Sequence, residues 1–159
     1  MTVKVGDKIP DATMKMMGEK GPQDVSTSDL FAGKKVVLFA VPGAFTPTCS
    51  AAHLPGFVVN ADKIKAKGVD AIVCVSVNDA FVMDAWAKDK NAEEIIMVGD
   101  GNGDFTEAMG LVLDGSGFGL GKRSQRYAMI AEDGVITTLN VEQGPAFELS
   151  SAEKILEAL

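Results

Sequence analysis

The sequence predicts an α/β fold, a mixed central sheet flanked by helices. Two apolar runs, Val36–Val41 and Val69–Val77, lack polar alternation. Such runs are typical of parallel strands that helices bury on both faces. Helix-start signals follow each run, and the segments 127–131 and 135–141 predict an antiparallel hairpin around Glu132-Asp-Gly134. Because strands and helices alternate without a linker or repeat, residues 1–159 are expected to form a single domain.

The amino-terminal part predicts small elements. Residues 12–17 favour a short strand, and Gly18-Glu-Lys-Gly-Pro22 is typical of a loop. Ser26-Thr-Ser-Asp29 resembles a capping box, which should begin one helical turn that Gly33 ends.

The rest of the chain predicts four further helices and one further strand. A helix should run from Pro47 to about Lys67, with a kink at Pro55-Gly56, where proline removes an N–H. Asn78 or Asp79 should cap the next helix, and Ser150-Ser-Ala-Glu153 resembles a capping box for the last one. The remaining segments are a strand at 95–98, a turn at 100–104 with a short helix after it, and a glycine-rich loop at 115–121.

Composition excludes several classes of protein. The chain has 159 residues, 47% hydrophobic and 23% charged, which is ordinary for a globular protein. Its net charge of −7 argues against binding a nucleic-acid backbone, which needs clustered Lys and Arg. The amino-terminal residues are charged where a signal peptide would be apolar, and no apolar run reaches the ~20 residues that cross a bilayer. A cytoplasmic protein that binds no membrane is expected.

The two cysteines lie in different settings. Cys74 lies inside an apolar strand, where cysteine usually behaves as a small hydrophobic residue. Cys49 follows the carboxyl end of a predicted strand and falls in the first turn of a helix that Thr46 and Pro47 should begin. Free N–H groups and the positive end of the helix dipole favour the thiolate, so Cys49 is the candidate reactive residue.

Several kinds of cysteine chemistry lack their partners. No Cys-x-x-Cys motif is present, and the one histidine, His53, lies four residues after Cys49, where it favours a helix-surface or interface position over a catalytic base. A metal site lacks ligands, because the two cysteines lie far apart in the sequence and there is one histidine. The segment 100–104 does not fit a calcium loop, because Phe105 replaces the required glycine. Neither a metal nor a cofactor is expected. A thiolate that attacks a peroxide needs no base and no metal.

The segment Pro42-Gly-Ala-Phe-Thr46-Pro-Thr-Cys49 resembles the peroxiredoxin signature Pro-x-x-x-Thr-x-x-Cys. Residues 41–57 resemble the type II, or peroxiredoxin-five, subfamily, and the resemblance extends through 75–79 and Arg126-Tyr-Ala-Met. It implies a thioredoxin-like fold and a thiol-dependent peroxidase that reduces hydrogen peroxide and alkyl hydroperoxides. It further implies that Cys49 is the peroxidatic cysteine, oxidised to a sulfenic acid.

The resemblance also implies roles for other residues. Arg126 would stabilise the thiolate and hold the peroxide, the Thr46 hydroxyl would bind the substrate oxygen, and Pro42 would shield the thiolate from water. Family homodimers bury aromatic residues beside the active-site loop, which favours an interface of Phe45, Phe81 and Phe118.

Resolution of the sulfenic acid is the point at which this sequence departs from the two-cysteine family pattern. No cysteine lies near the last helix, and Cys74 occupies the position of a second cysteine in plant-like members. An external reductant, glutathione with glutaredoxin or else thioredoxin, is favoured over Cys74. The alternatives are a peroxide-sensing switch or chaperone-like interaction protein that uses Cys49 oxidation, and a thiol hydrolase that uses His53 as its base.

Overall fold

The computed structural model describes all 159 residues and has nine strands and five α-helices. The strands are β1 (Thr13–Gly18), β2 (Gly21–Ser26), β3 (Lys35–Val41), β4 (Ala71–Ser76), β5 (Ile96–Gly99), β6 (Val112–Asp114), β7 (Lys122–Ser124), β8 (Tyr127–Glu132) and β9 (Val135–Val141). The α-helices are α1 (Thr27–Phe31), α2 (Leu54–Ala66), α3 (Ala80–Asp89), α4 (Asp104–Met109) and α5 (Ala152–Ala158). A π-helical turn, Cys49–His53, precedes α2, and a 3₁₀ turn, Ser116–Phe118, follows β6.

Seven strands form one mixed sheet in the order β2-β1-β5-β4-β3-β8-β9, and β6 and β7 pair separately. The three central strands β3, β4 and β5 are parallel, while β8 lies antiparallel to β3. The start of β8 therefore lies beside the end of β3, where Ala40 pairs with Tyr127. This pairing brings residues near 126 to the strand end that precedes Cys49.

Alternate residues of β3 face opposite sides of the sheet, as the strand periodicity requires. Val37, Phe39 and Val41 belong to a core shared with α2, α3 and α5, and this core contains both cysteines. Val36 and Leu38 belong to a second core with α1 and α4 on the other face. The predicted α/β layout of a mixed sheet covered on both sides is confirmed.

Most local predictions are confirmed, among them the capping box of α1, the cap of α3 by Asp79 and the β8–β9 hairpin. The prediction of a loop at 18–22 is wrong in part, because Gly21 and Pro22 already pair with β1 as the start of β2. The cap of α5 is Ser151, one residue later than predicted, since Ser150 bonds elsewhere.

Pro55 does not break its helix. The chain instead widens into the π turn immediately before it, where the N–H of Leu54 donates to the carbonyl of Cys49. Widened turns of this kind are frequent at functional sites. None of the helices has the length and apolar character needed to cross a membrane.

Candidate active site

The loop between β3 and the π turn carries the motif that includes Cys49. Asn78, which follows β4, holds this loop, because its Oδ1 accepts hydrogen bonds from the Ala44 amide at 3.0 Å and from Ser76 Oγ at 2.6 Å. The next residue of the loop, Phe45, has φ of 66°, a left-handed conformation that is rare for an aromatic residue. The hydrogen bond from the loop to Asn78 therefore helps to hold a backbone conformation that is strained at Phe45.

Two side chains lie within hydrogen-bonding distance of the fully buried Cys49 Sγ. Thr46 Oγ1 lies 3.0 Å from the sulfur and Arg126 Nη2 lies 3.1 Å from it. The Thr46 hydroxyl also lies 2.6 Å from the Gly43 carbonyl, which can only accept a hydrogen bond. Since a hydroxyl has a single proton, donation to Gly43 leaves an oxygen lone pair facing the sulfur. Thr46 makes no capping hydrogen bond, although its sequence position suits a cap.

Arg126 bridges two groups with different nitrogens. It immediately precedes β8, while its Nη1 lies 2.8 Å from His53 Nδ1 and its Nη2 reaches Cys49. The ring of Phe147 lies 5.8 Å from the guanidinium carbon, a cation–π distance. A planar guanidinium can meet a ring nitrogen and a sulfur together, whereas a lysine ammonium has only one nitrogen.

The sequence prediction for His53 is wrong. His53 is fully buried, and its ring centroid lies within 5.7 Å of those of Phe39, Phe57 and Phe147. It does not lie on the surface because residues four apart share one helix face, so His53 follows Cys49 inward. The four-residue spacing between Cys49 and His53 was the sequence signal that could have placed His53 in the site. It did not indicate that Arg126 and Ser150 would be its hydrogen-bond partners.

The partners of His53 define its tautomer. Arginine only donates and a backbone carbonyl only accepts, so Nδ1 accepts from Arg126 and Nε2–H donates to the Ser150 carbonyl at 2.9 Å. Burial, and next the charge of Arg126, lower the pKa of His53 to about 3. His53 is therefore neutral at working pH, and its hydrogen bonds involve Arg126 and Ser150 rather than Cys49, which offers no support to the thiol hydrolase alternative.

Pro42 and Arg123 lie at the edge of the site. Pro42 is half-buried, and its carbonyl is 3.5 Å from Arg123 Nη1. Arg123 belongs to β7, which follows the glycine-rich segment 115–121. Arg126, not Arg123, is the arginine whose nitrogen reaches the sulfur.

Cys74 lies in the middle of the central strand β4, paired with Phe39 and Met97. It is fully buried, and burial, followed by the negative charge of Cys49, raises the pKa of its thiol well above the ordinary value. Both cysteines are free thiols. Nowhere in the chain do three His, Cys, Asp or Glu side chains gather as a metal site would require.

Three aromatic side chains are exposed, which is unusual for phenylalanine. Phe45, Phe81 and Phe118 have exposed fractions of 51%, 63% and 87%. Phe45 lies in the loop that leads to Cys49, and its ring is 6.4 Å from the buried ring of Trp86. Trp86 in turn donates from its indole N–H to Ser50 Oγ, beside Cys49, at 2.8 Å.

Comparison with known proteins identifies the family. The family model described as Redoxin matches residues 4–156. Peroxiredoxin-2C of Oryza sativa subsp. japonica is 53% identical over 159 residues, which cover 99% of this chain and 98% of that protein. The chain belongs to the peroxiredoxin family.

Further relatives agree with this assignment. Peroxiredoxin-2E, chloroplastic, of Arabidopsis thaliana is 53% identical over 164 residues, covering 99% of this peroxiredoxin and 70% of that protein. The crystal structure of reduced Prx3 in complex with H₂O₂ from Vibrio vulnificus is 59% identical, with a TM-score of 0.96 and 99% of each chain covered. This peroxiredoxin accordingly has the thioredoxin-like fold and is a thiol-dependent peroxidase, as the sequence resemblance implied.

Proposed function

We propose that this peroxiredoxin reduces hydrogen peroxide and alkyl hydroperoxides by direct attack of the Cys49 thiolate on the terminal peroxide oxygen. The observation that carries the proposal is the convergence of Thr46 Oγ1 and Arg126 Nη2 on Cys49 Sγ. The 59% identical Prx3 of Vibrio vulnificus, which was solved with H₂O₂, supports the substrate class.

In the proposed step an S–O bond forms while the O–O bond breaks. Cys49 becomes a sulfenic acid that keeps the hydroxyl of the hydroperoxide, and the departing oxygen takes a proton from solvent and leaves as water or an alcohol. The Arg126 guanidinium stabilises the thiolate and then the negative charge that moves to the departing oxygen. Thr46 Oγ1 offers the acceptor that positions the hydroxyl of the hydroperoxide, and the Cys49 amide lies in the first helical turn, where N–H groups lack helical partners.

The remaining residues of the site act by exclusion and alignment. Pro42 shields the sulfur from water without offering a polar side-chain atom. His53, neutral and fully buried, positions the guanidinium through Nδ1. This arrangement is preorganised, so little rearrangement accompanies the charge movement of the step.

An external thiol resolves the sulfenic acid in this proposal, and glutathione with glutaredoxin or else thioredoxin supplies it. The setting of Cys74 supports this, because a thiol buried in a central strand has its thiolate disfavoured and its backbone fixed by two neighbouring strands. A disulfide between Cys74 and Cys49 requires their Cα atoms to lie within about 7 Å with suitably directed side chains. The fixed backbone of β4 opposes any movement of Cys74 toward that geometry.

Two further points belong to the proposal. The exposed rings of Phe45, Phe81 and Phe118 support a homodimer that buries them, since aromatic residues are enriched at protein–protein interfaces. A cytoplasmic location supplies the reduced thiol pool on which external resolution depends. Sedimentation of the purified chain and fractionation of cells that express it test these two points.

Steady-state peroxide consumption tests the activity and its reductant. Wild-type protein should consume hydrogen peroxide and cumene hydroperoxide with glutathione plus glutaredoxin or with thioredoxin, and Cys49→Ser should be inactive. If wild-type protein shows no turnover with either reductant system, but Cys49 is still oxidised, a peroxide-sensing switch or a chaperone-like interaction protein would be favoured. Activity of Cys49→Ser equal to that of wild type would overturn the proposal.

A further inference from the structure

Glu142 is a buried carboxylate without a cation. It follows β9 and is 5% exposed, and none of the ion pairs of the chain includes it. Four donors surround its carboxylate instead, namely the amides of Glu148, Leu149 and Ser150 and the Ser150 hydroxyl, at 2.6–3.1 Å. A buried carboxylate is costly unless its oxygens are satisfied in this way. Burial alone would raise the pKa of Glu142, but these hydrogen bonds outweigh it and leave the pKa below its ordinary value.

Glu142 is connected by hydrogen bonds both to the backbone of Arg126 and, through other residues, to its side chain. Its own amide donates to the Arg126 carbonyl at 2.9 Å. Its side chain holds the nitrogen and hydroxyl of Ser150, whose carbonyl accepts from His53 Nε2, while His53 Nδ1 accepts from the Arg126 guanidinium. A closed ring of hydrogen bonds thus connects the backbone of Arg126 to its own side chain through Glu142, Ser150 and His53.

Every member of this ring is buried, and each of its side chains has only one consistent donor and acceptor assignment. His53 must donate to Ser150 and accept from Arg126, because a carbonyl cannot donate and a guanidinium cannot accept. The Glu142 carboxylate holds both the amide and the hydroxyl of Ser150, which restrains the residue whose carbonyl accepts from His53. Buried polar networks that are fully satisfied make a local structure rigid and unique.

We infer that Glu142 is a positioning residue that holds the Arg126 guanidinium on Cys49 Sγ through Ser150 and His53. The inference rests on the proposed function of Arg126 as the group that stabilises the thiolate. It assigns a catalytic purpose to a carboxylate that contacts neither the sulfur nor the site of the peroxide.

The inference can be tested by the direction in which neutralising Glu142 changes the stability of the Cys49 thiolate. The charged and titratable groups around Cys49 are Arg126, His53 and Cys74. If Glu142 acted only through its charge, its neutralisation would remove a negative charge and favour the thiolate. If it positions Arg126, its neutralisation lets the guanidinium move away and disfavours the thiolate.

The test compares Glu142→Gln with Glu148→Gln in the full-length protein. Glu148 belongs to the same loop and carries the same charge, but its side chain is exposed and makes no hydrogen bond or ion pair, so it is a matched control. The first readout is the pH midpoint of Cys49 alkylation by iodoacetamide, with the label located by mass spectrometry. The second is the single-turnover rate of Cys49 oxidation by hydrogen peroxide without reductant.

Glu142→Gln should raise the alkylation midpoint by about one pH unit and slow single-turnover oxidation about tenfold at neutral pH, while Glu148→Gln leaves both unchanged. An unchanged or lowered midpoint in Glu142→Gln would overturn the inference. Failure of the proposed function itself is distinguishable, because wild-type Cys49 would then not be oxidised at all.

Two further variants guard against a purely structural loss. In a His53→Leu background the ring is already open, because leucine offers neither the acceptor for Arg126 nor the donor to Ser150. Adding Glu142→Gln should then not move the midpoint further, whereas an independent structural role would add its full effect. If Glu142→Gln does not fold, Ser150→Ala removes only the hydroxyl donor and should shift both readouts in the same direction, by about threefold in rate. No shift in Ser150→Ala would count against the inference.

Discussion

Arg126→Lys is the most informative single substitution at this site, because it keeps the positive charge and removes the bridging geometry. Arg126 contacts Cys49 Sγ at 3.1 Å and His53 Nδ1 at 2.8 Å through two separate nitrogens. The single ammonium of lysine cannot occupy both positions. It also lacks the planar fork that aligns two donors.

The size of the effect follows from the contact that is lost. A hydrogen bond to a charged group contributes about 1.5–3 kcal/mol, which is roughly ten- to a hundredfold in rate if it is fully used in the transition state. Arg126→Lys should therefore slow the oxidation of Cys49 by about ten- to a hundredfold. Arg126→Ala removes the charge as well and should slow it about 10²–10³-fold, the range seen when a group that stabilises developing charge is deleted.

Stopped-flow fluorescence provides the assay. Trp86 donates a hydrogen bond to Ser50, the residue after Cys49, so its emission is placed to report oxidation of the sulfur. Arg123→Lys is the matched control, since Arg123 reaches the Pro42 carbonyl at 3.5 Å and makes no hydrogen bond to Cys49, and it should change the rate by less than about threefold. If Arg126→Lys were oxidised at a rate within about twofold of wild type, the bridging role of Arg126 would be refuted.

Three further outcomes are expected. Thr46→Val should slow Cys49 oxidation by about 10²-fold, because the acceptor for the peroxide hydroxyl is lost, whereas Thr46→Ser should stay within about tenfold of wild type in the same assay. Cys74→Ser should leave turnover with an external reductant unchanged, and a count of free thiols after one equivalent of peroxide should show that wild type does not lose both thiols. His53 has a pKa of about 3 when folded against 6.5 when exposed, so only the unfolded chain takes up its proton between these values. The free energy of unfolding should therefore fall by up to about 1.4 kcal/mol per unit as pH drops from 6.5 toward 3, and urea titrations that compare wild type with His53→Gln measure this difference.

The secondary structure was largely predictable because its signals are local. The buried strands β3 and β4 are continuous apolar runs, and the caps by Ser26 and Asp79 are short polar patterns. The error at β2 arose because strand pairing decided a segment whose local sequence signals are weak. The strand β2 contains Gly21, Pro22 and polar residues that resemble a loop, yet its pairing with β1 overrides that weak propensity.

The site was only partly predictable. The position of Cys49 after a strand and at a helix start follows from sequence spacing, and the resemblance to the family added the roles of Thr46 and Arg126. The burial of His53 could not be predicted, because it depends on three phenylalanine rings from β3, α2 and the loop before α5. The role inferred for Glu142 depends on backbone amides, which no side-chain pattern encodes.

The most direct test asks whether Cys49 is the sulfur that reacts with peroxide and whether any second cysteine of the chain captures the product. Intact and peptide mass spectrometry after one equivalent of hydrogen peroxide, with dimedone present and no reductant, answers both questions at once. We expect a dimedone adduct on Cys49 and an unmodified Cys74 thiol. A disulfide between Cys49 and Cys74, or an adduct on Cys74 alone, would contradict the proposed mechanism.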